Sequence, residues 1–87
     1  MHPNLCITEL KQGHSGQILS LGADPEWKRR LQCLGLRTGS LVEIFEPGNP
    51  HRPLVVICGN NRLVVDHALA ENIIVKFIGS DSEVTHG

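Results

Sequence analysis

The chain has few aromatic residues and almost no net charge, and both shortages exclude classes of protein. Its 87 residues include one Trp, two Phe and no Tyr, and eight Lys and Arg against nine Asp and Glu give a formal net charge of −1. Proteins that bind phosphate backbones normally carry a clear cationic excess. Readers of single-stranded RNA normally present aromatic rings on which bases stack. We therefore do not expect a nucleic-acid-binding protein.

Long apolar runs and paired cysteines are missing as well. The longest apolar run, residues 54–58, is five residues long, whereas a membrane-spanning helix needs roughly 20. The first seven residues lack the basic segment and the long apolar stretch of a signal peptide. Cys6, Cys33 and Cys58 are an odd number without a CxxC pair, which argues against a disulfide framework. We expect a cytoplasmic protein with reduced thiols and no direct membrane insertion.

One helix is predicted with clear ends. The Asp-Pro pair at residues 24–25 favours a helix start, because Asp caps orphan amides and Pro fits the first helical position. Trp27, Leu31 and Leu34 lie at i, i+4 and i+7, which predicts one buried apolar stripe. A following glycine in the left-handed conformation ends the helix. The pattern predicts an α-helix over about residues 25–34.

Short β-strands are predicted on both sides of this helix. Glycines 13 and 16 bracket a predicted turn, and residues 17–21 follow as a strand. Downstream, Val42 and Ile44 alternate with a polar residue, and residues 54–58 and 63–65 flank a Gly-Asn-Asn turn.

The end of the chain completes a small β fold. Residues 66–71 predict a short helical turn capped by Asp66, and residues 73–78 predict the last strand. Strands at this spacing favour a small barrel of five or six strands over an open sheet. We expect a mainly β protein with one domain over residues 1–78 and a flexible tail over residues 79–87.

Motifs for catalysis and metal binding are missing from the sequence. It contains no GxSxG elbow, no phosphate-binding P-loop and no triad pattern, so we predict neither an enzyme nor catalytic or cofactor-binding residues. Its histidines and cysteines do not show the C-x₂₋₄-C or H-x₃₋₅-H spacing of structural zinc sites. Only the fold could bring loop histidines and Cys33 together, so the ligands of any metal site stay unknown at this stage.

Five short motifs over about residues 5–78 carry a family resemblance. They are Leu10-x-x-Gly13-x-x-Gly16-x-Ile18, Arg30-Leu31-x-x-Leu34-Gly35-Leu36-x-x-Gly39, Val42-x-Ile44, Pro53-Leu54 and Ala70-x-x-Ile73-x-Val75. Together they resemble the FeoA family of small proteins of bacterial ferrous iron uptake. The family commonly has Met at the position of Leu34, a volume-conserving exchange, and Pro at the position of Thr38.

The resemblance implies a fold, a role and a partner. It implies an SH3-like barrel and an accessory role beside FeoB, the membrane iron transporter with a cytoplasmic GTPase domain, without a required cofactor. The same domain type also occurs at the C-terminus of iron-dependent repressors, but without a helix-turn-helix before it in this sequence we expect a stand-alone protein. An alternative stays open, namely a small sensor or carrier that binds iron or another transition metal weakly by itself. The oligomeric state is not predicted.

The outer face of the helix is the predicted contact with the transporter. It is the one large insertion in the predicted barrel, and it is polar and cationic. The predicted partner-binding residues are Lys28, Arg29, Gln32 and Cys33 on the helix, with Leu36 and Arg37 just beyond it.

Overall fold

Six antiparallel strands and two α-helices make up residues 4–80, the part of the chain that this computed structural model describes. In chain order the elements are β1 (Asn4–Cys6), a 3₁₀ turn (Ile7–Glu9), β2 (His14–Ser20), α1 (Pro25–Cys33), β3 (Leu41–Glu46), β4 (Leu54–Cys58), β5 (Asn61–Val65), α2 (His67–Ala70) and β6 (Ile74–Ser80). The strands pair in the order β1-β6-β2-β3-β4-β5. The predicted small β fold with one inserted helix is confirmed. Over residues 4–80 its sheet does not close, because β1 and β5 lie at opposite ends of this order.

The predicted turn at residues 13–16 is only half right. β2 begins at His14, and Gly16 lies buried inside the sheet rather than in a turn. A Cβ at position 16 would lie 3.2 Å from both the carbonyl oxygen of Lys76 and the Cβ of Val75. Glycine fits here because the backbones of β2 and β6 approach each other closely at this position. Glycine within a strand often marks such a close backbone approach.

The last strand is longer than predicted. Gly79 pairs with Ser15 and Ser80 pairs with His14, so the sheet extends two residues beyond the expected end of the domain at residue 78. These backbone pairs explain why a segment with few large apolar side chains is still held in the sheet. Residues 81–87 of the expected tail lie outside the described residues.

An aliphatic core fills the fold, as the shortage of aromatic residues requires. No polar or charged side chain of residues 4–80 is buried. Period-two alternation predicted the inward residues of β3, Val42 and Ile44, correctly. The buried apolar residues are Ile7, Leu10, Ile18, Leu21, Leu31, Leu36, Val42, Ile44, Leu54, Val56, Val65, Leu69, Ala70, Ile73 and Val75.

None of the three Trp and Phe residues is buried in this core. Trp27 and Phe77 are half-buried and pack against it. Phe45 is 37% exposed, and the Arg62 guanidinium lies 4.1 Å from its ring centroid, a favourable cation–π distance.

The caps of α1 agree with the sequence prediction. The helix spans Pro25–Cys33, with Leu34 as its C-cap. The Asp24 carboxylate accepts hydrogen bonds from the backbone N–H groups of Glu26 (2.9 Å) and Trp27 (3.2 Å). Neither helix of residues 4–80 is long and apolar enough to cross a membrane.

We expect Asp24→Ala to lower the free energy of unfolding by about 1 kcal/mol, because two orphan amides lose their acceptor. Urea denaturation followed by the single tryptophan measures the change. Asp66→Ala is the matched control, because the Asp66 side chain, contrary to prediction, makes no capping hydrogen bond to α2. Equal losses in both variants would show that the Asp24 cap contributes nothing.

The apolar stripe of α1 is narrower than predicted. Leu31 is fully buried, but Leu34 is 37% exposed. Leu34 is exposed because the helix ends next to it, at Gly35, where the left-handed backbone conformation (φ +102°) breaks the helical periodicity.

Two hydrogen bonds reverse the chain after α1. The Gly35 N–H donates to the Gln32 carbonyl (2.9 Å), and the Leu36 N–H donates to the Leu31 carbonyl (3.2 Å). This is the Schellman motif, whose usual apolar contact joins the equivalents of Leu36 and Leu31. Both side chains are 0% exposed. Leu36, which we predicted as a partner contact on the surface, is therefore a core residue.

Candidate partner-binding surface

The structure brings five of the six predicted contact residues to the surface of α1 and the turn after it. Lys28, Arg29, Gln32, Cys33 and Arg37 are all exposed, and we call these five residues the α1 outer face. Only the sixth, Leu36, is unavailable, because it is fully buried.

The α1 outer face belongs to a cationic segment in a chain that is otherwise acidic. Residues 28–37 contain four of the eight Lys and Arg residues, and all nine acidic residues lie elsewhere in the chain. Within residues 4–80, no ion pair engages Lys28, Arg29 or Arg37. The helix dipole favours cations near the C-terminus of α1, but exposed like charges this close repel one another. A carboxylate-bearing surface would relieve that repulsion and would be attracted over several ångströms.

A groove runs beside this face, between the C-terminal half of α1 and α2. It has a volume of about 450 Å³ and is lined by Arg29, Arg30, Cys33, Leu34 and Leu69. We call it the α1–α2 groove. Leu69 is nearly buried at 9% exposure, whereas Leu34 is open to solvent. Sequence reasoning missed Leu34 as a surface residue, although the glycine after it was a signal that the helical periodicity ends there.

The three cysteines form no disulfide with one another and differ in exposure. Cys33 is exposed, as predicted, whereas Cys6 and Cys58 are half-buried free thiols. The Cys6 sulfur lies 3.5 Å from the Glu71 carbonyl oxygen and 3.1 Å from the Thr8 hydroxyl. Cys58 packs against the core, which agrees with its place in an apolar strand.

The histidines of the described residues are spread over the fold. His14 Nδ1 accepts a hydrogen bond from the Lys11 backbone N–H (3.1 Å), and its ring meets Phe77 edge-on at 5.1 Å. His67 Nδ1 lies 3.9 Å from a Glu71 carboxylate oxygen. Across residues 4–80, no three His, Cys, Asp or Glu side chains are grouped closely enough to hold a metal ion.

Comparisons with known proteins agree on one family. The family model described as "FeoA domain" matches residues 5–77. The solution structure of the FeoA protein from Chlorobium tepidum is 31% identical, with a TM-score of 0.73 over 95% of this chain and 79% of that chain. The zinc complex of Stenotrophomonas maltophilia FeoA, described as an SH3-domain protein, is 26% identical, with a TM-score of 0.67 over 82% of this chain and 88% of that chain. No curated protein matches the chain.

The same fold also occurs within a longer protein. IdeR from T. acidophilum superimposes with a TM-score of 0.75 over 90% of this chain but only 37% of that chain, at 17% identity. That likeness concerns the fold alone. The expected SH3-like architecture is confirmed by the S. maltophilia relative. Because the family model spans nearly all of the described residues, the chain belongs to the FeoA family of accessory domains associated with ferrous iron transport.

Proposed function

We propose that this protein is a cytoplasmic accessory protein of ferrous iron uptake. It binds the cytoplasmic part of a FeoB-type, GTPase-coupled membrane transporter through the α1 outer face, and it modulates transport by this contact. The observation that carries the proposal is the concentration of exposed cations on α1 and just after it, without an ion pair to any of residues 4–80, in a chain whose net charge is −1. The proposal assigns no catalysis to the chain and needs no bound cofactor.

The construction of α1 supports a contact role. Of its nine residues only Leu31 is buried, and a free helix of this length is marginal in water. Its ends are instead fixed by the Asp24 cap and by the Schellman motif at Gly35. The exposed residues of α1 add little to core packing, so they are available to a partner and can be exchanged without unfolding the domain.

The family supports the choice of partner. The FeoA family is associated with ferrous iron transport, and the S. maltophilia relative is described as a candidate activating factor of ferrous iron transport. Binding by exposed arginines and lysines predicts an acidic patch on the transporter. It also predicts an association rate that falls as salt is added.

We expect the double variant Arg29→Glu/Arg37→Glu to bind the soluble cytoplasmic domain of the transporter at least about tenfold more weakly, because two attractive contacts become repulsive. Calorimetry or biolayer interferometry at low and high salt measures the change. The matched control is Lys11→Glu/Lys76→Glu, which alters net charge equally at exposed positions away from α1. Its affinity is expected to stay within about twofold of the unmodified chain.

The two double variants separate a specific contact from general attraction. Equal weakening in both would show that only net charge matters, and unchanged affinity in Arg29→Glu/Arg37→Glu would contradict the assigned surface. Ferrous iron uptake in a strain that carries each variant gives the cellular readout. We expect uptake to change with the α1 pair and not with the control pair.

A further inference from the structure

The α1–α2 groove combines an apolar floor with a cationic rim. Leu34 and Leu69 provide the floor, and the exposed side chains of Arg29 and Arg30 stand at its side. None of the described residues that line it is acidic. A ligand that fits must therefore bring an apolar group for the floor and its own negative charge for the rim.

The exposure of Leu34 is fixed by the backbone. The Schellman motif turns Leu36, rather than Leu34, into the core beside Leu31. Since these two side chains already fill the space under the end of α1, Leu34 cannot rotate inward without displacing one of them. The structure thus holds a leucine at the surface next to two arginines.

The charges along α1 and α2 differ between the two ends of this side of the protein, so they favour one orientation of a bound segment. A second groove of about 380 Å³ lies near the start of α1 and is lined by Asp24, Trp27, Ala68, Glu71 and Asn72. One end of the α1–α2 side therefore carries carboxylates, and the other carries arginines. A bound segment whose acidic residue lay at the wrong end would meet like charge.

We propose, on the basis of the proposed function, that the α1–α2 groove receives an apolar side chain from a segment of the transporter's cytoplasmic part that carries a carboxylate beside it. The apolar side chain covers Leu34 and Leu69, and the carboxylate meets the guanidinium of Arg29 or Arg30, whose fork of donors suits a carboxylate. A second copy docked groove to groove would instead bring the arginines of two chains together, which is unfavourable.

Leu34→Asp tests the groove apart from the α1 outer face. The new carboxylate removes the apolar contact and repels the acidic residue of the partner, so we expect affinity for the same transporter domain to fall at least about tenfold. Leu34→Met conserves volume and is expected to bind normally. Leu41→Asp is the control, because Leu41 is 61% exposed on β3 and does not line the groove. Arg30→Glu is a second test, since Arg30 lines the groove but is not part of the α1 outer face.

Alkylation of Cys33 shows whether the partner covers this side of α1, since Cys33 belongs both to the groove lining and to the α1 outer face. It is exposed and lines the groove, whereas Cys6 and Cys58 are half-buried elsewhere. We expect a saturating amount of the transporter domain to slow alkylation of Cys33 by iodoacetamide about tenfold, with little change at Cys58. Peptide mass spectrometry measures each thiol separately, so no cysteine needs to be replaced.

The outcomes separate this inference from the proposed function. If Arg29→Glu/Arg37→Glu weakens binding while Leu34→Asp and Arg30→Glu do not, the groove is not the docking site but the proposed function stands. If Cys33 stays reactive in the complex, the partner covers neither the groove nor the α1 outer face, and both are contradicted. If the unmodified chain does not bind the domain, both fail. If sedimentation shows instead that the chain dimerises and that Leu34→Asp dissociates the dimer, a second copy occupies the groove and the inference is wrong.

Discussion

Leu36→Ala is expected to lower the free energy of unfolding by about 2–5 kcal/mol, the range for truncating a buried leucine. Leu36 is 0% exposed, and its backbone N–H closes the end of α1 by donating to the Leu31 carbonyl (3.2 Å). The substitution opens a cavity between the helix end and the sheet, where Leu31 loses its neighbour. Since small domains are marginally stable, this loss is a large part of the total free energy of unfolding. Urea denaturation followed by Trp27 fluorescence measures it.

Leu34→Ala is the matched control for Leu36→Ala. The two leucines lie two positions apart and flank Gly35, but Leu34 is 37% exposed, so its truncation is expected to cost less than about 1 kcal/mol. Equal losses in the two variants would contradict the Schellman geometry. Under conditions where Leu36→Ala remains folded, its affinity for the transporter domain is expected to be unchanged, because Leu36 reaches the core and not the partner.

Gly48→Ala is expected to lower the free energy of unfolding by about 1–3 kcal/mol, the usual cost of forcing an extra methyl into a closed space. A Cβ at position 48 would lie 2.7 Å from the Arg52 carbonyl oxygen, 2.8 Å from the Leu54 backbone nitrogen and 2.9 Å from the Pro53 carbonyl carbon. All three atoms belong to the backbone, so no side chain can turn away to make room.

The loop between β3 and β4 has little freedom to adjust. Asn49 and Arg52 exchange two backbone hydrogen bonds (3.1 and 2.9 Å), and the Asn49 Oδ1 accepts a third from the His51 N–H (2.7 Å). Moving residues 52–54 away from a new Cβ would break part of this network and disturb Leu54, which is buried. We therefore expect the loss to appear in thermal and urea unfolding alike.

Gly79→Ala is the control for Gly48→Ala. A Cβ at Gly79 would meet no atom of residues 4–80 within 4 Å, and its backbone is not left-handed, so the free energy of unfolding is expected to change by less than about 0.5 kcal/mol. If Gly48→Ala were as stable as Gly79→Ala, the loop would be free to move, and the close backbone packing around Gly48 would be without consequence.

Local signals in the sequence predicted most of the elements. The Asp24-Pro25 start of α1 and its end before Gly35 follow from hydrogen bonds between residues a few positions apart. The alternation at Val42 and Ile44 likewise predicted which face of β3 is buried. Such features depend on the residues of one segment, and a sequence reports them directly.

Two of the errors fall where distant segments meet. Gly16 is a strand residue because it pairs with β6, which passes 3.2 Å from the position that a Cβ would occupy. Gly79 and Ser80 are ordered because they pair with β2. Local composition suggested a turn in the first case and a loose tail in the second, since the pairing partner lies far away in the chain.

The shortage of aromatic residues determined the aliphatic core of this protein, and together with the near-neutral charge it led us to expect no nucleic-acid partner. The motifs and the family match then placed it in the FeoA family. Only the tertiary structure decided that Leu34, exposed at the end of α1, lines a groove together with Leu69 of α2. Caps and periodicity arise from contacts within a few residues, whereas a binding groove arises from side chains that only folding brings together.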